Sequence, residues 1–522
     1  MSTVLFVTVL VLLALGYFVY GAYIKKLFRT GPDRPTPAVT RRDGVDYVPA
    51  RNWVMLFGHH FASIAGAGPI VGPVLAYMYW GWAGIVVWLV FGSIFLGAVH
   101  DFCALFISMR EDGSSIGQIA ERYISRRASR VLLGFLWLAL ILVIAVFAAV
   151  CTKNFVREPD IVLPSAGLIP VAVVVGLLIY RLRLPVVFST AVGLAGLGVL
   201  IFLGEKVPLV IPGTHAAQWW FLLLFGYAFI ASIIPVDILL QPRDYISSFL
   251  LFAGIGVSCV GIFARPLPFP AGEAFRFHSP GGPFFPLMFI TVACGAISGF
   301  HSLVASGTTS KQIASERDAP RIGYGAMILE GVLATIALIC IAFGVRSAPS
   351  TADPIALFAR GFSTIAFFLG DYAKFFALVI LSAFILTTLD TATRITRFLT
   401  QELFKVRNKY ASTALVVGCG YALCVSDTWQ ALWPMFGASN QLVAALALLV
   451  AAAYLIHHKQ PSAAVLIPAG IMFFITFAAL AVQTGKSFLQ QQYLLTLLSM
   501  VLMVLGVFIL WEFVQKRKQY AG

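Results

Sequence analysis

Charge is what this sequence has least of: Asp, Glu, Lys and Arg make up 11% of its 522 residues, against about 25% in soluble domains. No polar stretch is long enough for a soluble domain; the longest connections are residues 25–52, 109–130 and 265–284. A sensor with a soluble output domain is therefore disfavoured. The seven cysteines, Cys103, Cys151, Cys259, Cys294, Cys340, Cys419 and Cys424, lie in or beside apolar segments, and none forms C-x-x-C. They read as small buried hydrophobes, not as a disulfide framework or a zinc site. None of the eight histidines stands in H-x-x-x-H or H-E-x-x-H spacing, the pattern that lets one helix face grip a metal. The first apolar run, Thr3 to Ala22, has no basic residue before it and no clear A-x-A site. It reads as a retained membrane helix and not as a signal peptide. The net charge of +14 would suit nucleic acid, but the basic residues sit in short loops between apolar runs. That distribution is membrane topology, so no nucleic-acid partner is expected.

What the sequence has is hydrophobicity, 60% of residues with mean hydropathy +0.91. The expectation is an all-α polytopic protein in a lipid bilayer. A spanning helix needs about 20 apolar residues. Fifteen runs qualify, near 3–24, 54–78, 82–108, 131–151, 164–180, 185–204, 217–236, 245–264, 285–310, 323–345, 364–390, 411–425, 429–456, 463–483 and 489–514. With the N-terminus outside and the runs alternating, only nine of the 36 basic residues fall outside: Lys153, Arg157, Lys206, Arg265, Arg276, Arg346, Arg360, Lys374 and Lys486. The threefold excess inside, which counts Arg243, Arg394 and Arg397 as loop charges, supports the helix count and a cytoplasmic C-terminus. Residues 1–52 are a first helix and a basic loop, 53–264 a first half, 285–460 a second half, and 461–522 C-terminal helices with a basic tail. In the loop at 109–130, Ser115 to Ile124 has the period of a short surface helix.

The second run carries Gly58-His59-His60-Phe61-Ala62-Ser63-Ile64-Ala65-Gly66-Ala67-Gly68-Pro69-Ile70-Val71-Gly72-Pro73. Gly tolerates non-helical torsions, and Pro69 and Pro73 lack an N–H. A break near Gly66–Pro69 follows. Unpaired backbone at membrane depth is tolerated only inside protein or beside a wet cavity, so a binding site is expected there. A kink used only for close packing is the alternative. The ninth run carries a weaker echo, His301-Ser302-Leu303-Val304-Ala305-Ser306-Gly307, with Ser/Thr density that places a break near Ser306–Thr309. The two runs are seven apart and therefore opposite in orientation. Paired interrupted helices in oppositely oriented halves are the mark of a secondary transporter, and they argue against a channel built from a symmetric oligomer. By analogy with leucine-transporter-type folds, runs 2–6 and 9–13 form an inverted repeat and the others are peripheral. The expected substrate site is His60, Ser63, Gly66, Gly68, His301, Ser302, Ser306 and Gly307. No cofactor is expected, and the sequence leaves the oligomeric state open.

Ionisable residues in membrane segments are costly and are functional candidates. His100 and Asp101 close the third run, where they also fit a helix end anchored at the interface. Glu330 lies within the tenth run. In the eleventh, Thr387, Asp390, Thr391 and Arg394 share one helix face, with Thr388 beside them. Hydroxyls beside a carboxylate suit a small cation, and the carboxylate alone suits a proton. In the leucine-transporter analogy, this helix gives hydroxyls to a coupling sodium. The plain alternative is an Asp390–Arg394 ion pair one turn apart. Asn440 and Gln441 in the thirteenth run either line the cavity or tie helices together. A membrane metalloenzyme using His59, His60, His100, Asp101 and His301 is the rival from another class.

Several of these stretches resemble the carbon starvation protein A family: the Gly58–Pro73 stretch, Gly97-Ala98-Val99-His100-Asp101-Phe102, Ser114–Ala120, Leu389-Asp390-Thr391-Ala392-Thr393-Arg394 and Trp433–Leu442. They span residues 50–445 in the family's order. The resemblance implies a bacterial or archaeal cytoplasmic-membrane protein grouped with the amino-acid/polyamine/organocation transporters, and no enzyme. It implies uptake of a small carboxylate such as pyruvate, or of a peptide, with H⁺ or Na⁺ as the coupled ion.

Overall fold

All fifteen apolar runs are helical in a computed structural model of the chain. It describes residues 2–28, 31, 34–266, 274–344, 353–426 and 428–521, with backbone alone for 428–434 and 521. The expected Arg29 and Arg346 loop charges and the side chains of Trp433 and Pro434 lie outside it. The helices are α1 (Ser2–Leu27), α2a (Trp53–Ile64) and α2b (Gly68–Trp80), α3 (Ala83–Arg110), α4 (Arg126–Arg157), α5 (Pro159–Arg181), α6 (Val186–Lys206), α7 (Ala216–Ile233) and α8 (Leu240–Ala264). There follow α9a (Phe284–Thr291), a turn of helix at Ala293–Ala296, and α9b (Gly299–Gly307). The chain closes with α10 (Glu316–Gly344), α11 (Tyr372–Phe404), α12 (Lys409–Val425), α13 (Thr428–His457), α14 (Ala463–Leu489) and α15 (Tyr493–Ala521). Among the described residues thirteen helices are long and apolar enough to cross a membrane; α9, in pieces, and the shorter α12 are the remaining two of the fifteen runs. Large apolar side chains stand exposed on the peripheral helices, Val187 and Phe188 on α6 and Leu497 and Val504 on α15 among them. In water such a belt would aggregate, and in a bilayer it is solvated. The short helix expected after Ser114 runs Ile116–Tyr123, and the Ser115 hydroxyl accepts from Gln118 N–H at its start.

The break in α2 lies at Ala65–Ala67, where the sequence predicts it. Pro69 cannot donate to Ala65 C=O, so the ladder ends there, while at the first turn of α2b a missing N–H costs nothing. The break in α9 is a correction: it is at Ile297–Ser298, both extended, about two turns before Ser306–Thr309. No proline or positive φ makes it. A tertiary partner does, since Asn440 on α13 accepts from Phe300 N–H (2.9 Å) at the start of α9b, and Ser93 on α3 donates to Gly295 C=O (3.1 Å). Orphan backbone groups at a buried helix end need such partners.

The packing also reassigns the repeat. Helix α2a packs on α9b, and α2b on the first part of α9; α4 packs on α11 and α7 on α12. Three further relations come in matched pairs: α3 on α9b with α10 on α2b, α4 on α12 with α11 on α7, and α4 on α13 with α11 on α8. Each relation maps onto its mate by exchanging α2, α3, α4, α7 and α8 for α9 to α13. The first unit is thus not five consecutive helices. This pairing leaves out the α5–α6 hairpin, which packs on α8, and takes in α7 and α8, expected to be peripheral.

Candidate functional site

The two breaks lie side by side. A Cβ on Gly68 would meet Cys294 Sγ at 2.5 Å, and one on Gly66 would meet Thr388 Oγ1 at 2.6 Å. These glycines serve close approach: the two interrupted helices and α11 meet at the backbone of Ala65–Gly68. Two buried polar clusters flank this meeting point.

The first joins α2a, α8 and α11. His59 Nδ1 faces Asp244 Oδ2 at 2.6 Å, and its Nε2 faces Gln312 at 3.2 Å. The Ser63 hydroxyl reaches His59 C=O (2.8 Å), Asp244 (3.3 Å) and Thr391 (3.2 Å). Thr388 donates to Ser63 C=O at 3.4 Å, and Thr387 donates to Ala383 C=O of its own helix. The Arg243 guanidinium donates to Asp244 Oδ1 (Nη2, 2.7 Å) and to the Tyr227 hydroxyl (2.5 Å), and is ion-paired with Asp390, to which Tyr227 also donates. Every carboxylate and guanidinium here is buried. A charge at this depth persists only if paired and hydrogen-bonded.

This geometry overturns two readings. Arg243, Arg394 and Arg397 are not loop charges; all three are buried. Arg394 does not pair with Asp390 one turn away, but donates to Asp46 (2.7 Å) and to Ala231 and Ile234 C=O. The partner of Asp390 is Arg243, from another helix. Sequence reasoning missed Tyr227, Arg243, Asp244 and Gln312. One local signal pointed to the charges: Pro242 in the first turn of α8 starts that helix before Arg243, which puts both charges inside it.

The second cluster joins α3, α9b and α10. Asp101 Oδ1 faces His100 Nδ1 at 2.7 Å, and Oδ2 faces His301 Nδ1 at 2.9 Å. His301 Nε2 stands 3.4 Å from Glu330 Oε2. All four side chains are buried, so His100 and Asp101 do not anchor a helix end at an interface. His60 shares none of these hydrogen bonds: its Nδ1 is 2.8 Å from Thr309 Oγ1, and its Nε2 has no partner among the described residues. The histidines offered to the metalloenzyme reading thus fall into three separate sets of hydrogen bonds. Among the described residues no three His, Cys, Asp or Glu groups are arranged to hold a metal.

The remaining candidates take structural places. Ser302 and Ser306 donate to Gly299 and Ser302 C=O of their own helix, and Gly307 abuts Ile395. Because the α9 break is upstream, Ser306 and Gly307 sit at the far end of α9b, away from it. Asn440 holds the break, and Gln441 donates to Phe289 C=O (2.8 Å). Both therefore tie helices together.

A sequence profile described as carbon starvation protein CstA matches residues 1–348 and 342–479. A "Peptide transporter CstA" of Helicobacter pylori is 34% identical, over 89% of this chain and 79% of that protein. That of Escherichia coli K12 is also 34% identical, over 89% and 78%. The "Pyruvate/proton symporter BtsT" of Escherichia coli K12 is 31% identical, over 85% and 76%. Among solved structures, a manganese transporter of Eremococcus coleocola superposes with TM-score 0.54 at 13% identity, over 92% of this chain and 99% of its own. At that identity, the likeness is one of fold.

Proposed function

Because the chain belongs to the carbon starvation protein CstA family, whose relatives carry transporter names, we propose that it is a secondary transporter. It imports a small carboxylate of the pyruvate type, or a peptide, together with a cation, the proton in the first place. It sits in a bacterial or archaeal cytoplasmic membrane with its N-terminus outside and its C-terminus in the cytoplasm. The observation that carries this reading is the pair of interrupted helices whose breaks lie together at the centre of two units related by exchange. Half-helix ends there offer free N–H groups and a favourable dipole to a substrate carboxylate. The substrate lies between Ala65–Gly68 and Ile297–Ser298, with Ser63, His60 and His301 below it. Asp390 acts as a fixed charge that ties α11 to α8 through Arg243.

Sodium is a second reading. The oxygens at the first break favour it: Ser63 C=O and hydroxyl with the Thr388 and Thr391 hydroxyls are the hard ligands such an ion takes. Uptake of labelled pyruvate and of a dipeptide into proteoliposomes, under separately imposed proton and sodium gradients, tests both. Accumulation of one solute under one gradient is expected. No accumulation of either solute under either gradient would sink the transporter reading.

Gly68 gives a sharper test of where the substrate sits. Gly68→Ala must displace Cys294, whose Sγ and Cβ lie 2.5 and 2.6 Å from the added methyl; such overpacking costs about 1–3 kcal/mol. Uptake should fall steeply. Cys294→Gly in the same chain removes both obstructing atoms and should restore it, while Cys294→Ala keeps Cβ and should not. Full uptake by Gly68→Ala alone would show that the close approach of the breaks is unimportant.

A further inference from the structure

We propose that the coupled proton is carried by the Glu330–His301 pair, with Asp101 and His100 as its fixed counter-group. This deepens the reading above and rests on it. Asp390, a candidate for the cation or the proton, is already engaged by Arg243 and Tyr227, and a buried ion pair of this kind is a fixed tie between helices. Glu330 is in the opposite situation. It is fully buried, and neither carboxylate oxygen has a hydrogen-bond partner among the described residues. The titratable groups that face it are His301 from α9b, Asp101 from α3 and Cys294 from the middle turn of α9. His60 from α2a stands beside His301. Among the described residues no Lys or Arg lies within ion-pair distance of Glu330.

The tautomers follow from the hydrogen bonds. Asp101 has the Nδ1 atoms of two imidazoles at 2.7 and 2.9 Å. An ionised Asp101 makes both of them N–H donors. Neutral His301 therefore presents a bare Nε2 lone pair to Glu330 Oε2 at 3.4 Å. Two lone pairs cannot face each other in a dry site, so while His301 is neutral the shared proton is on Glu330. Transfer breaks the Glu330 O–H bond and forms His301 Nε2–H. It leaves an imidazolium between two carboxylates, with no change in electrons and no net change in cluster charge. His301 is the third residue of α9b, directly after the break where the substrate is placed. Movement of α9b on substrate binding changes the Glu330–His301 separation, and with it which group holds the proton. That dependence is the coupling.

The test uses the full chain in proteoliposomes with a pH-sensitive dye inside and labelled pyruvate or a dipeptide outside. Wild type should accumulate one of them under a proton gradient and acidify the lumen as it enters. Glu330→Gln copies the protonated shape but cannot release a proton. Accumulation and substrate-evoked acidification should fall by about tenfold or more, as loss of a coupling free energy of this class gives. Exchange of internal for external substrate should persist, because it need not release the proton. Glu330→Asp, which keeps an acid, should recover part of the accumulation. Coupled uptake by Glu330→Gln at the wild-type level overturns the proposal. So does loss of exchange in both variants, which would make Glu330 a structural residue. If wild type is driven by sodium alone, the transporter reading stands and this inference falls. If wild type moves neither solute, the transporter reading itself falls.

Discussion

Replacing Arg243 with glutamine should destabilise the folded protein by about 3–5 kcal/mol, the cost of removing one partner from a buried ion pair. Arg243 stands between two buried carboxylates, donating to Asp244 Oδ1 at 2.7 Å and paired with Asp390. The two are not equally exposed to its loss. Asp244 keeps His59 at 2.6 Å and Ser63 at 3.3 Å. Among the described residues Asp390 keeps only the Tyr227 hydroxyl, and its Oδ1 has no partner even with the arginine present. Neutralising Asp390 as well should therefore restore more stability than neutralising Asp244. The measurement is thermal unfolding of detergent-purified Arg243→Gln, Arg243→Gln/Asp390→Asn and Arg243→Gln/Asp244→Asn, read as a mutant cycle. An Arg243→Gln midpoint equal to wild type would mean that this network holds nothing together. Equal rescue by the two doubles would mean that Asp390 is better supported than its contacts indicate.

How much of this was legible depended on whether the cause was local. The α2 break was readable because Pro69 removes its own N–H, a fact of one residue. The α9 break was not, because the chain there is held through Ser298 and Phe300 by Asn440, well over a hundred positions along the chain, and no window of sequence contains both. The fifteen apolar helical runs were legible because each is set by its own hydropathy, although among the described residues thirteen helices are long and apolar enough to span. The membership of the repeat was not, because a hairpin left out of it, such as α5–α6, has the same hydropathy as a core pair. The site residue types were legible, since His100, Asp101, His301, Glu330 and Asp390 are each conspicuous in an apolar segment. Their pairing was not. Asp390 and Arg394 share a helix face at ordinary ion-pair spacing, yet each finds a stronger partner elsewhere. Counting basic residues for topology hid Arg243, Arg394 and Arg397, because that rule treats every basic residue as solvated.

Where Arg394 and Arg397 point leads to the second large effect: Asp46→Ala should open the end of the protein that we place in the cytoplasm. The segment before α2 is built to deliver this carboxylate. Asp43 Oδ1 accepts from the N–H groups of Val45, Asp46 and Tyr47 (2.8–2.9 Å), and Gly44 supplies the positive φ of 71° that the turn needs. Val236 donates to Val45 C=O (3.0 Å), and Ala50 donates to Gln312 C=O (2.9 Å). These bonds strap the segment across the α7–α8 junction and the residues after α9b. Asp46 then accepts from Arg394 (2.7 Å) and Arg397 (3.0 Å), which also cap the C-terminal carbonyls of α7 at Ala231, Ser232 and Ile234. Without Asp46 two neighbouring guanidiniums are left facing each other. Each charge-assisted hydrogen bond lost is worth about 1.5–3 kcal/mol, and about 1.4 kcal/mol shifts a two-state population tenfold. A Thr388→Cys reporter at the α2 break, in a chain whose seven native cysteines are replaced, should then react with an impermeant maleimide from the cytoplasmic side about tenfold faster or more. Removing Arg397 as well should slow it again, because Arg394 retains two carbonyl partners. The pH dependence has a definite sign. Burial alone would raise the Asp46 pKa, but Arg394, Arg397 and Lys311 hold it below the usual carboxylate value. The latch is therefore fully present above about pH 4 and is lost only as pH falls through the depressed value. Between about pH 5.5 and 8 the ratio of labelling rates, Asp46→Ala to wild type, should be flat. A ratio that collapses on mild acidification would mean that Asp46 titrates in that range, and a ratio of one throughout would mean that the strap holds no gate.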